Sequence, residues 1–165
     1  MPLVRVESMK RLLAVAVFVA TTVSPVAAQA PNTAARHPVE VFFMSGIASF
    51  NAHDLDAFTQ QFAPDIEMYT PTGWLRGHES VRARFAQTFQ QFPSVRMEIA
   101  DLRVREVAPG TVIADFNWRV YPMGKGPAFH GVGTGVYVKR NGKWAEVLEH
   151  ETVVKTDEGL GAAKK

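Results

Sequence analysis

Residues 128–154 read AFHGVGTGVYVKRNGKWAEVLEHETVV. Two runs of alternating polarity flank Asn141-Gly142, the dipeptide that best tolerates the positive φ angles of a two-residue hairpin turn. The stretch therefore predicts paired strands over 128–140 and 143–154. Upstream, the same period of two runs through 95–107 and 111–121, which are separated by Pro109-Gly110. With a loop at 122–127 the four segments make an antiparallel meander.

Before residue 94 the period changes to that of a helix. Val39, Phe42, Phe43, Ile47 and Phe50 place an amphipathic helix over 38–51, with Pro38 suited to its first turn. Asp54 is placed to cap a second helix with Leu55, Phe58 and Phe62 on its apolar side, ending before Pro64. A short strand over 66–70 closes in the turn Pro71-Thr72-Gly73. Gly77 then precedes a third helix carrying Val81, Phe85, Phe89 and Phe92. Three helices and a short strand followed by a meander predict an α+β domain, its helices packed on one face of a curved antiparallel sheet.

Residues 1–28 stand apart from this pattern. Arg5, Lys10 and Arg11 precede an apolar run over 12–23 and then Ser24-Pro25-Val26-Ala27-Ala28, the order of a secretory signal peptide. The run is shorter than the roughly 20 residues that span a bilayer, which argues against a membrane anchor. Val26 and Ala28 supply the small residues that signal peptidase needs, so cleavage is expected after Ala28; Met9 is an alternative start. The expected organisation is a signal peptide (1–28), a linker (29–37), the α+β domain (38–154) and a disordered tail (155–165). The expected location is the periplasm or the medium.

The signal segment holds three of the 18 basic and one of the 16 acidic residues, so the remaining chain balances at 15 of each. Such a chain lacks the basic footprint of a nucleic-acid binder. With no cysteine there is no disulfide, thiolate nucleophile or lipid attachment site. His37, His53, His78, His130 and His150 fall on different elements with no pair at ligand spacing, so neither metal nor cofactor is expected.

Phe50-Asn51-Ala52-His53-Asp54-Leu55-Asp56, Phe62-Ala63-Pro64-Asp65, Arg76-Gly77-His78-Glu79-Ser80-Val81 and the segment from Asn141-Gly142-Lys143-Trp144 to Glu149-His150-Glu151-Thr152 form a familiar series. It resembles the nuclear transport factor 2-like superfamily, in its SnoaL-like and ketosteroid-isomerase-like branch, over roughly 38–154. The resemblance implies a cone of curved sheet closed by three helices, a pocket in its wide end and dimerisation through the sheet. It does not fix one chemistry. Where ketosteroid isomerases carry a tyrosine, an aspartate base and a second acid, this chain has Gly46, Thr70 and Gly135. The pocket arginines of calcium/calmodulin-dependent kinase association domains would fall near Trp118, Gly135 and Glu151, and are likewise missing.

Strand periodicity assigns the faces. Val112, Ala114, Phe116, Trp118 and Val120 share the side expected to meet the helices. Gly131, Gly133 and Gly135 alternate with Phe129 and Tyr137 on the next strand. Pairing Tyr121 with Ala128 sets Trp118 opposite Gly131 and Phe116 opposite Gly133. Either the rings cover the glycines or the glycines leave a hollow for a ligand. A two-residue turn at Asn141-Gly142 turns Trp144, Glu146, Leu148, His150 and Thr152 inward, with His150 opposite Gly133. A one-residue slip would turn Val147, Glu149 and Glu151 inward instead. The first register suits a core better and makes His150 the candidate acid-base group.

Phe62, Met68, Thr70, Phe85 and Phe89 are expected to complete a ligand-binding wall with Phe116, Trp118, Gly133, Tyr137 and His150. Arg76 is the one cation expected near the entrance to the third helix. The leading expectation is an exported small-molecule-binding protein with a mostly apolar pocket. The alternatives are an isomerase, dehydratase or cyclase that uses His150 with an inward Glu146 or Glu149 on a hydrophobic carbonyl or alcohol, and a purely structural dimerisation module. Homodimerisation is expected through the outer sheet face around Val132, Thr134, Val136 and Val138.

Overall fold

The computed structural model describes residues 35–123 and 126–158. The expected signal peptide, most of the linker and the tail beyond Glu158 lie outside them. The elements are α1 (Pro38–Asn51), α2 (Leu55–Thr59), β1 (Phe62–Thr70), β2 (Gly73–Arg76), α3 (His78–Gln91), β3 (Val95–Ala108), β4 (Thr111–Pro122), β5 (Ala128–Arg140) and β6 (Lys143–Asp157). They form one six-stranded curved sheet, ordered β2-β1-β6-β5-β4-β3, with the helices on its concave face. The α+β cone read from the sequence is the observed fold.

Local chemistry explains most boundaries. Pro38 opens α1, and the His37 ring accepts a hydrogen bond from the Val39 amide. The Asp54 carboxylate accepts from the Ala57 amide at 3.0 Å, the capping role expected of it. After α1 the chain turns through His53 at φ +58°. Asn51 donates to the Met97 carbonyl and accepts from the Met97 amide, and the His53 ring bonds the Val95 carbonyl at 2.8 Å. These three bonds tie the end of α1 to the start of β3.

Three boundaries differ from expectation. The second helix stops at Thr59, and Phe62 already belongs to β1, so the strand starts before Pro64 rather than after it. Pro64 is tolerated because the β1–β6 ladder is interrupted between Phe62 and Glu67, leaving no bond there for a missing amide to break. Second, the turn after Thr70 leads into β2, a short strand not anticipated from its sequence. Third, β6 continues to Asp157, where Lys155, Thr156 and Asp157 pair with His130, Phe129 and Ala128. The segment 155–157, read as tail, is therefore strand.

The core lies between helices and sheet in two clusters. Val39, Phe43, Ile47, Val112, Ala114, Phe116, Trp118 and Tyr137 form one, and Phe50, Phe58, Phe62, Ile66, Met68, Val81, Phe85 and Val95 the other. The faces assigned to β4 and β5 hold: Phe116 pairs with Gly133 and Trp118 with Gly131.

Candidate functional site

The last hairpin decides what the cone contains. Arg140 pairs with Lys143, Lys139 with Trp144 and Tyr137 with Glu146, as the two-residue turn requires. Val136 then pairs with Leu148, so Val147 is an extra residue on β6. This β-bulge exchanges the faces of Leu148 through Val153, up to a second register shift between His130 and Gly131. Glu149 pairs with Gly135 and Glu151 with Gly133, both pointing into the cone, while His150 pairs with Thr134 on the outer face. Neither register read from the sequence is complete: Glu146 comes from the first, Glu149 and Glu151 from the second. The bulge falls where the β1 ladder is also interrupted, and there the Glu146 amide donates to the Gln61 carbonyl at 2.9 Å.

His150 is therefore not a pocket residue. Its ring is exposed and lies 5.1 Å from that of Tyr69, which in turn stands 5.0 Å from Trp74. Gly133 opens no hollow either. A Cβ at Gly133 would collide with the Phe116 ring, one at Gly131 with the Trp118 indole, and one at Gly135 with Glu146 and Tyr137. The aromatic cover of glycine is the arrangement found.

The open space lies further toward the mouth. A cavity of about 230 Å³ is walled mainly by Phe50, Phe85, Phe92, Trp118, Val120 and Phe129, with Arg84 and Glu151 as its charged groups among the described residues. Behind it lies a chamber of about 20 Å³ that holds Gln61, Tyr137, Glu146, Glu149 and Glu151. Phe85, Met97, Trp118 and Glu151 belong to the walls of both.

Of the residues expected at the site, Phe62, Phe85, Phe116, Trp118 and Tyr137 line these spaces. Met68 is buried behind them, its sulfur 3.6 Å from the Arg84 guanidinium. Thr70 donates to the Gly73 carbonyl in the turn, and Phe89 packs on Phe50 and His53 in the core. Arg76 pairs with Glu67 on the exposed side of β1 and β2. The sequence reading missed Arg84, on an α3 face where helical periodicity promised only phenylalanines.

The electrostatics are those of a row of acids out of water. Glu146 is 2% exposed, and Glu149 and Glu151 9% each. Burial, then the Glu149 charge, pushes the Glu146 carboxyl well above the ordinary carboxylate range. Burial and the Glu151 charge likewise raise Glu149, to about 8, with Arg84 opposing. The Tyr137 phenol is also held well above its usual value, by burial and then by Glu146. Glu151 is paired instead, accepting from Arg84 Nη2 at 2.7 Å. Two buried polar atoms have no partner among the described residues, Glu146 Oε1 and Trp118 Nε1. Leaving such atoms unsatisfied costs about 1–3 kcal/mol each.

The SnoaL-like domain family matches residues 46–147, more than half of the chain. The chain belongs to the SnoaL-like family. Solved structures agree on the nuclear transport factor 2-like fold. A nuclear transport factor 2-like protein of unknown function from Pseudomonas putida superposes with a TM-score of 0.63 at 16% identity, over 69% of this chain and 82% of its own. A putative scytalone dehydratase from Novosphingobium aromaticivorans gives 0.63 at 13%, over 73% and 84%. The protein LinA gives 0.66 at 14%, over 74% and 88%. At these identities the likeness is one of fold. No curated protein matches the chain.

Proposed function

We propose that this SnoaL-like protein is exported and binds a small, mostly apolar molecule in the cavity between α3 and the sheet. The observation that carries the reading is the aromatic-walled space of about 230 Å³ backed by buried carboxyl groups. A row of glutamates inside a cone is a poor solution for a core, and departures from good packing concentrate where function requires them. The order of residues 1–28 supports export. Exposed Val132, Val154, Tyr69 and Trp74 on the outer sheet face support association of two copies there.

Saturation-transfer NMR against a library of small aromatic and alicyclic compounds tests the binding, with Thr88→Trp as the control. Thr88 lies on the cavity side of α3 and its hydroxyl donates to the Arg84 carbonyl of its own helix, so the indole fills the mouth without disturbing the core. Compounds that bind the native protein and lose binding in the folded variant support the reading. Equal binding by both proteins refutes it.

One observation favours a catalytic reading as well: Glu149 points into the cone on the chamber wall, buried beside Glu146 and Glu151. A carboxyl raised to about 8, as at Glu149, carries a proton at neutral pH and can give it up to the medium or to a substrate. The acid-base role expected of His150 thus passes to Glu149, in an isomerase, dehydratase or cyclase reaction. One structural neighbour is a putative scytalone dehydratase, which accords with that class.

A further inference from the structure

The titratable and charged groups facing the two chambers come from four elements. Strand β6 gives Glu146, Glu149 and Glu151, β5 gives Tyr137, β4 gives Tyr121 and α3 gives Arg84. Among the described residues three acids thus face one cation. That cation is engaged twice over, by Glu151 at 2.7 Å and by the Phe85 ring, whose centroid lies 4.8 Å from the guanidinium carbon. A carboxylate ligand would have to displace Glu151 from Arg84 and then lie beside Glu151 and Glu149. An ammonium group meets the opposite situation. Phe50, Phe92, Trp118 and Phe129 line the cavity with aromatic rings not engaged by Arg84, and such rings attract cations through their quadrupoles. The glutamates beyond them supply charge-assisted acceptors, and Glu146 Oε1, buried on the chamber wall, has no partner among the described residues.

We propose that the cavity selects ligands carrying a protonated amine on an apolar body and turns away carboxylates. The selectivity rests on the cavity being a ligand site, and it names the class of ligand that site takes. Binding an ammonium group requires a proton to leave the Glu146 and Glu149 carboxyls, so the affinity for the amine rises with pH. An alkylammonium keeps its own proton to about pH 10.

Phenethylamine, phenethyl alcohol and phenylacetate share one body and differ in the charge of the head. Calorimetric or NMR titration of each into the full mature chain is carried out near pH 6 and near pH 8.5, with Glu149→Gln as the variant and a thermal melt to confirm its fold. The amine is expected to bind about tenfold more tightly than the alcohol near pH 8.5, to weaken toward pH 6 and to lose most of that preference in Glu149→Gln. The alcohol should bind equally at both pH values, and phenylacetate most weakly. Alcohol binding without preference for the amine, or phenylacetate binding as tightly as the amine, overturns the selectivity and leaves the cavity a ligand site. Failure of all three to bind, with none of the wider library binding either, overturns both.

Discussion

Arg84 on α3 reaches across the cavity wall to Glu151 on β6, with Nη2 2.7 Å from Oε2. The pair joins helix to sheet beside the opening, and among the described residues Glu151 is the only one of the three inward glutamates held as an ion pair. Arg84→Met removes the cation and strands a carboxylate in low dielectric. Breaking a fully buried pair costs 3–5 kcal/mol, but the Arg84 side chain is 29% exposed, so a loss of about 2 kcal/mol is expected. Adding Glu151→Gln should restore at least half of it. Urea melts near pH 8 measure both steps, and an unchanged midpoint in Arg84→Met contradicts the pairing.

Glu146 and Glu149 make stability depend on pH with a definite sign. Their carboxyls are raised in the folded state, so between about 4.5 and 8 the unfolded chain binds fewer protons than the folded one and stability falls as pH rises. The contribution is complete below the ordinary carboxylate value and is lost as pH climbs through the folded value. Glu149→Gln should flatten that slope, read as the change in denaturation midpoint between about pH 5 and pH 8.5. A native protein whose stability rises steadily over that range would show that the acids are not buried.

Gly133→Leu tests the aromatic cover. The Phe116 ring already occupies the place a side chain would take, so the substitution overpacks the core and should destabilise by about 1–3 kcal/mol or more. A neutral or stabilised variant would mean that the glycine faces open space, as the alternative sequence reading held.

Assembly and export are read together on the mature protein. Val154 is 63% and Trp74 51% exposed on the outer face, which predicts a homodimer by light scattering at micromolar concentration and a monomer after Trp74→Glu with Val154→Glu. The exported chain is expected to begin at Gln29. A one-chain mass for the native protein, or a mature chain still beginning at Met1 or Met9, would count against these two expectations respectively.

The fold was legible because its signals are local. Asn141-Gly142 set the hairpin, the change of period at residue 94 separated helices from meander, and Asp54 and Pro38 opened their helices where their chemistry places them. The site was only half legible. Phe85, Phe116 and Trp118 declared themselves by period, but Glu149 and Glu151 depended on one residue, Val147, whose bulge coincides with a break in a parallel ladder with β1, more than 75 positions earlier in the chain. Nothing near Val147 in sequence carries that information. The preference for Leu148 and His150 over glutamates applied the rules of a packed core to a strand that lines a cavity. Arg84 was hidden for a related reason, since an apolar stripe on α3 gives no sign that a charged residue beside it turns toward the sheet.

Whether β6 turns its glutamates into the cavity is tested most directly by following each glutamate side-chain carboxyl by carbon-13 NMR across a pH titration of the native protein. Glu149 is expected to titrate near 8 and Glu146 also well above the ordinary carboxylate range, each losing its signal shift on substitution by Gln. If instead Glu149 titrates near the ordinary value of about 4.5, β6 does not turn it into the cavity and the bulge at Val147 is wrong; if Glu146 does so as well, the carboxyls meet water and the account of the cavity is wrong.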